Sequence, residues 1–192
     1  REVFAERVRQ IGERVRLETP RFQLRPLGVN SVPQNYYSWL KDREITRYLE
    51  IYSREYQKED AEAYIRGHDN QSSFFFGIYT KEDRFIGTHS VKGSFETSRF
   101  SVGGLIGVRE FWGQNVIIET RGALLDFMFF KLGLTKAESG CYSGNYPTIY
   151  NCLRQGWKKE GVLRAHRTID GIAEDLILFG LLKDEWGKSD RS

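Results

Sequence analysis

The stretch WGQNVIIETRGALLDF, residues 112 to 127, reads as the entrance to a helix that grips a phosphate, with its glycines partly taken out. A strand that ends in a loop and runs into a helix presents unpaired N–H groups and the positive end of the helix dipole. Here the apolar run RFSVGGLIGV feeds REFWGQNV and then a helical pattern. Gly113 is kept, whereas Asn115 and Ile117 stand where small, permissive residues would suit an anion. A plain strand-to-helix connection is the other reading of the same residues.

The surrounding pattern supplies the elements that must position this loop. VRLETPRFQLRPLG, residues 15 to 28, alternates apolar and polar side chains on both sides of Pro20, as a strand pair or a bent strand would. SVPQNYYSWLKDREITRYLE, residues 31 to 50, spaces Tyr36, Trp39, Leu40, Ile45, Tyr48 and Leu49 as one helix, with Ser31 or Asn30 as cap and Pro33 in the first turn. KEDAEAYIRGHDN is a second helix, closed near Gly67. SFFFGIYT, RFIGTHSVKG and RFSVGGLIGVR are three consecutive antiparallel strands separated by turn-like KED and SFETS. From Ile117 to Leu132 one stripe of Ile117, Ile118, Leu124, Leu125, Met128 and Leu132 marks the longest helix, stopped at Gly133. TKAESGCYS is a strand, NYPTIYNCLRQG a helix with Pro147 in its first turn and Gly156 at its end, and WKKEGVLRAHR and IAEDLILFGLL the last two strands. This order predicts an α/β (α+β) single domain, a mixed and mostly antiparallel sheet flanked by helices.

Composition narrows the functional classes. The 192 residues suit one domain, expected over 13–187, with a charged leader or short helix over 1–12 and a tail over 188–192. Thirteen Phe, ten Tyr and four Trp exclude a disordered chain. A net charge of +3, from 29 basic and 26 acidic side chains spread along the chain, is too mild for nucleic-acid binding. No run approaches a membrane span and no signal-peptide pattern opens the chain, so a cytoplasmic protein is expected. Cys141 and Cys152 lack any C-x-x-C or Cys/His spacing, so neither a disulfide scaffold nor a metal site is expected.

Over about residues 13 to 186 the chain resembles the GNAT acyl-CoA N-acyltransferase superfamily, in the branch of ribosomal-protein N-terminal and amino-sugar acetyltransferases. GERVRLETPRFQLRPL resembles the first strand of that branch and YYSWLKDREITRYLE its first helical region. IGVREFWGQNVIIETRGALLDFMFFKLGLTKAES resembles its run of strand, phosphate loop, helix and strand, and NYPTIYNCLRQGWKKEGVLRAHRTIDGIAEDLILFGLLKDEW its C-terminal part. The resemblance implies acetyl-CoA as co-substrate, with its pyrophosphate on the backbone of Trp112, Gly113, Gln114, Asn115, Val116 and Ile117. Asn115 stands at the first diagnostic glycine of the family loop, Ile117 at its second small residue and Trp112 at its basic or Gln position. Asn tolerates positive φ better than other non-Gly residues, whereas a β-branched Ile limits close approach to the backbone.

By the same resemblance, the backbone of Ile106, Gly107 and Val108 pairs with the pantetheine arm. Asn145 matches the Asn that contacts the coenzyme arm, with a helix cap as its other reading. Amide formation from an amine and a thioester needs a base for the ammonium and an acid for the leaving thiolate. Cys152 occupies the position of the family's common acid, a Tyr, and also reads as a small buried hydrophobe. Thr148 occupies the position where the ribosomal branch places a Ser acid, and is the first choice here. RFSVGGLIGV lacks the Glu that many members use as base, which leaves Glu96 in the preceding hairpin, His89 in the preceding strand, or a water-mediated base. A lone strand histidine also reads as a satisfied core or surface residue. Glu119, in the first helical turn, and Asp175, in the last strand, read as structural. The expected activity is acetyl transfer from acetyl-CoA to a primary amine by direct attack. The acceptor is an amino sugar, favoured in nucleotide-linked form, or a protein N-terminus. A non-catalytic module with a degenerate coenzyme loop is the alternative. A homodimer through a sheet edge near the last strands is a further expectation.

Overall fold

A computed structural model of the chain describes residues 15–53 and 55–188. The expected leader and the expected tail beyond Lys188 lie outside the described residues. Eight strands form one sheet in the order β1-β2-β3-β4-β5-β6-β8-β7: β1 (Leu17–Glu18), β2 (Phe22–Pro26), β3 (Phe74–Thr80), β4 (Phe85–Ser94), β5 (Arg99–Ile106), β6 (Lys136–Tyr142), β7 (Lys158–Ile169) and β8 (Ile172–Leu182). Every neighbouring pair is antiparallel except β5 and β6, which run parallel. The architecture is the expected α/β domain with a mixed, mostly antiparallel sheet. The 15–28 segment is a strand pair, β1 and β2 pairing around the Thr19–Arg21 turn.

β3 is buried along its whole length because it has a core on each face. Period-2 alternation sends Phe74, Phe76 and Ile78 to one face and Phe75 and Tyr79 to the other. On the first face lies the long helix α4 (Val116–Asp126), continued by a π-helical turn over Phe127–Lys131. Leu124, Leu125, Met128 and Phe129 of this segment are fully buried there. Ile117 and Ile118 are only half-buried, and Val116, Thr120 and Arg121 take the inward positions instead. That corrects the expected stripe: the helix is rotated so that a charged residue, Arg121, faces inward near its start.

The second face is covered by α1 (Asn35–Trp39), α2 (Arg43–Thr46) and α3 (Lys58–Arg66). The expected continuous helix over 31–50 is broken. Asp42 adopts an extended backbone and its carboxylate accepts from Glu44 N and Ile45 N, which caps a new helix four residues after Trp39. A 3-10 turn over Glu50–Ser53 follows. Neither Ser31 nor Asn30 caps α1, whose N-cap position is Gln34; the Ser31 hydroxyl accepts instead from Gly28 N at 2.9 Å. α3 ends at Gly67, as its sequence suggested.

α5 (Tyr146–Arg154) joins β6 to β7, and the short α6 (Lys183–Lys188) follows β8. β7 and β8 form a long hairpin whose Asp170–Gly171 tip has positive φ at both residues, 50° and 80°, the geometry a two-residue hairpin turn demands. Asp175 is structural, as expected: its carboxylate accepts from Ala165 N at 2.8 Å where the register of β7 shifts.

Gly107, just past β5, is packed directly beneath α1. A Cβ there would meet the Trp39 ring at 1.9 Å, and Trp39 in turn stacks on Phe85 at 4.8 Å. Gly107→Ala is therefore expected to expel the indole and cost about 3 kcal/mol, as overpacking of a dense core does. A urea unfolding midpoint indistinguishable from the parent protein would contradict this.

Candidate active site

The site begins where β5 and β6 part. Only Arg99–Ser101 of β5 pairs with Lys136–Glu138 of β6. The last cross-link is the Ser139 hydroxyl, which donates to Val102 O at 3.3 Å. Beyond it β6 keeps pairing with β8 as far as Tyr142, and β5 keeps pairing with β4 as far as Ile106, so the sheet opens into a wedge. Since Val102 O faces the wedge, strand alternation turns the peptide groups of Gly104 and Ile106 the same way. Trp112 Nε1 occupies Ile106 O at 2.9 Å. Gly107 N donates away from the wedge, to Ile86 O.

At the wide end of the wedge stands the 112–117 loop. Trp112, Gly113, Gln114 and Asn115 are exposed, and Val116 is buried as the first residue of α4. Gly113 and Asn115 both adopt left-handed backbone, with φ of 74° and 59°. Asn115 therefore does the conformational work of a glycine. Arg154 of α5 donates to Asn115 Oδ1 at 2.9 Å and places a guanidinium beside the loop. The Ile117 side chain is turned away onto the sheet, since a Cβ added to Gly104 would lie 2.9 Å from Ile117 Cδ1. Among the described residues no backbone carbonyl accepts from the N–H groups of Gly113, Asn115 or Val116.

Two clamps hold the loop. From β1 and β2, Thr19 Oγ1 (2.7 Å), Arg21 N (2.9 Å) and Arg21 Nε (2.7 Å) all donate to the Glu119 carboxylate, while Arg21 Nη2 donates to Gln114 O at 2.9 Å. These donors hold Glu119 below the usual carboxylate range even though its partial burial opposes the shift. From α5, Gln155 Nε2 donates to Ile118 O at 2.8 Å and Gln155 Oε1 accepts from Arg121 Nε. Within the loop, Gln114 Nε2 donates to Glu110 O at 2.6 Å.

The candidate proton-transfer groups scatter. Thr148 is half-buried in the first turn of α5, and Asn145 Oδ1 accepts from Thr148 N at 3.4 Å as a cap. Cys152 lies on the buried face of the same helix, fully covered, with Arg121 Nη1 3.6 Å from its sulfur. Burial pushes the Cys152 thiol up. Glu96 is exposed in the β4–β5 turn, at the opposite end of β5 from the loop. At about 3.3 Å per strand residue that is some 25 Å away. His89 is fully buried on the α4 face, with Nε2 2.8 Å from Thr120 Oγ1 and Nδ1 3.2 Å from Gly103 O.

On the other face of the same strands lies a pocket of about 450 Å³ over Thr88, Ser90 and Gly103–Leu105. Its outer wall carries Tyr36, Tyr56, Tyr64 and Glu50. Glu50 and Arg154 were not singled out from the sequence, since one lies within an expected helix and the other follows an ordinary apolar pattern. Glu174 was also missed: its Oε2 accepts from Ser143 Oγ (2.5 Å) and Gly144 N (2.6 Å), fixing the turn that leads into Asn145. Among the described residues no group of three His, Cys, Asp or Glu side chains is placed to hold a metal ion.

Comparison with known proteins agrees with this geometry. The acetyltransferase (GNAT) domain family matches residues 21–158. An N-acetyltransferase of Bacillus licheniformis named p20, itself uncharacterized, is 29% identical over 175 residues, 88% of this chain and 97% of its own. Among solved structures, RimL, a ribosomal L7/L12 α-N-protein acetyltransferase in complex with coenzyme A, superposes with a TM-score of 0.76 at 15% identity, over 88% of this chain and 98% of its own. Spermidine N-acetyltransferase from Vibrio cholerae, in complex with CoA and spermine, gives 0.75 at 18% identity, over 87% and 98%.

Burial pushes His89 down to about 4 from its ordinary 6.5, with Arg121 adding to the effect against the Gly103 carbonyl. Because the folded value lies below the unfolded one, the unfolded chain takes up its proton first as pH falls. The contribution of neutral His89 to stability is complete above about pH 6.5 and is lost toward about pH 4, by up to about 3 kcal/mol. Burial lowers His68 too, so it adds to the loss as pH falls below its ordinary value. His89→Gln should flatten the pH dependence of the urea midpoint across that window; an unchanged slope would show that His89 is not the buried neutral group described.

With the parted parallel strands, the left-handed Asn115 at the start of α4 and a family match over most of its length, the chain belongs to the GNAT acetyltransferase family and is an acetyl-CoA-dependent N-acetyltransferase.

Proposed function

We propose that the 112–117 segment holds the pyrophosphate of acetyl-CoA, that the wedge beside Gly104 and Ile106 takes its pantetheine arm, and that a primary amine attacks the thioester directly in a ternary complex. The left-handed Asn115, tied to Arg154, carries this reading: it restores the loop backbone that a glycine would give and brings back the positive charge missing at Trp112. Phosphate on such a helix start is favoured by exposed N–H groups and by the dipole. Bound acetyl-CoA supplies an acetyl group activated as a thioester.

The remaining work belongs to the protein. The acceptor ammonium must lose a proton before its nitrogen can form the new N–C bond, and the C–S bond then breaks. Thr148 is the proposed donor of the proton taken up by the leaving thiolate. With Glu96 at the far end of β5 and His89 sealed under α4, a water relay is the proposed path for the ammonium proton. Asn145 positions Thr148 by capping α5. The acceptors expected from sequence are an amino sugar and a protein N-terminus; of the fold neighbours, RimL is an α-N-protein acetyltransferase and the Vibrio cholerae protein a spermidine N-acetyltransferase.

Calorimetric titration with CoA and acetyl-CoA tests the donor half. Asn115→Gly should retain affinity, whereas Asn115→Val, which resists positive φ, should lose it. Arg154→Ala should weaken binding roughly tenfold, the scale of one charge-assisted contact. Equal affinity in Arg154→Ala and the parent would remove Arg154 from the site. For the acid, Thr148→Ala should lower kcat about 100-fold with coenzyme affinity unchanged; an unchanged kcat would assign the proton to another group.

A further inference from the structure

The acceptor pocket has a composition that selects. Among the described residues Glu50 is the one charged side chain in its lining, which holds no described Lys, Arg or His. Three tyrosines line the same space above Ser90, and burial raises the Tyr64 hydroxyl's pKa, with Glu50 adding to the rise. Lys92 approaches the Tyr64 ring to 5.2 Å but does not line the pocket.

Glu50 is held in place through its backbone. Arg167 of β7 donates through its two Nη groups to the carbonyls of Leu49 (2.7 Å) and Glu50 (3.3 Å). Tyr52 donates to Asp170 at the hairpin tip at 2.6 Å, and Arg43 and Arg47 lie within 3.7 Å of the same carboxylate. The β7–β8 hairpin thus braces the 3-10 turn that carries Glu50. Glu50 is exposed at the edge of this pocket, so its carboxylate is a charge that an entering ligand meets, and it attracts a cation and repels an anion. Aromatic rings around it add favourable interaction with a cation.

We propose that this pocket takes its acceptor as an ammonium ion on an apolar body that bears no anionic group, and that Glu50 is the residue that selects it. The proposal rests on the reading of the chain as an N-acetyltransferase, and it narrows the acceptors. A nucleotide-linked sugar or a free amino acid would set its phosphate or carboxylate against Glu50, with no basic side chain among the described lining residues to receive it. A simple amine, or the N-terminus of a peptide whose first carboxyl is an amide, would not. The floor of the pocket, Gly103–Leu105, is also the stretch of β5 that borders the wedge, so an ammonium held by Glu50 lies on the acceptor side of the strand that faces the donor.

Three probes of nearly one shape separate the cases: 2-phenylethylamine, phenylalanine amide and phenylalanine. Each is titrated calorimetrically into the full chain, with and without CoA, alongside Glu50→Gln. The two cations are expected to bind at least tenfold more tightly than the zwitterion, and Glu50→Gln is expected to lose about tenfold in cation affinity while leaving CoA affinity unchanged. Phenylalanine amide binding above phenylethylamine would point to a peptide N-terminus, the reverse order to a small amine, and both support the proposal. Equal binding of all three, binding of none, a preference for phenylalanine, or an unaltered cation affinity in Glu50→Gln would overturn it. Failure of CoA to bind would refute the donor reading alone, since the amine titrations without CoA still decide this one.

Discussion

The structure depends on a disagreement between two strands. β5 and β6 agree on direction for three residues and then separate, and everything at the site follows from the backbone that this leaves unpaired. A sheet cannot ordinarily tolerate an interior opening, because unpaired peptide groups next to an apolar core are costly. Here each strand is held on its other side, β5 by β4 and β6 by β8, so the opening is stable and its edges are fixed. The peptide groups of Gly104 and the N–H of Ile106, whose carbonyl is taken by Trp112, are thereby presented to whatever fills the wedge.

A wedge alone would grip poorly, and the loop at its wide end is kept rigid from both flanks. Glu119 gathers three donors from the β1–β2 turn, and α5 answers from the other side through Arg154 and Gln155. The buried Arg121 belongs to the same bracing: its guanidinium joins Gln155 and the Cys152 sulfur and lies 5.1 Å from the Trp157 ring. Burying such a charge is expensive unless its hydrogen bonds are supplied. Its place here joins the start of α4 to the end of α5, the two helices that meet at the loop.

The order of elements was legible in the sequence because most of them advertise themselves locally. Gly133 and Gly156 stop helices with positive φ, Asn145 caps and Pro147 opens α5, and the apolar runs of β3 to β5 exceed anything a loop would carry. The break after Trp39 was not legible, since the apolar spacing continues across Asp42 and only the cap geometry reveals the interruption. At the site, the loop was found by its place between strand and helix, and the suitability of Asn for positive φ was a sound guide to Asn115. Ile117 was misleading because side-chain direction does not follow from position in a motif: its methyl packs on Gly104, away from the loop face. Glu50, Arg154 and Arg167 act through contacts across 39 to 118 positions of chain or through a shared cavity, and no local pattern carries that.

The hairpin tip at Asp170–Gly171 has a bearing on how such a protein changes over generations. Its Asp170 gathers Tyr52, Arg43 and Arg47 from the far side of the sheet, so the turn fixes the position of the wall that closes the proposed acceptor pocket. A change in that turn would therefore act on the pocket through the backbone of Glu50–Ser53 and leave the 112–117 loop untouched, which would make the two proposed substrate sites separable by substitution.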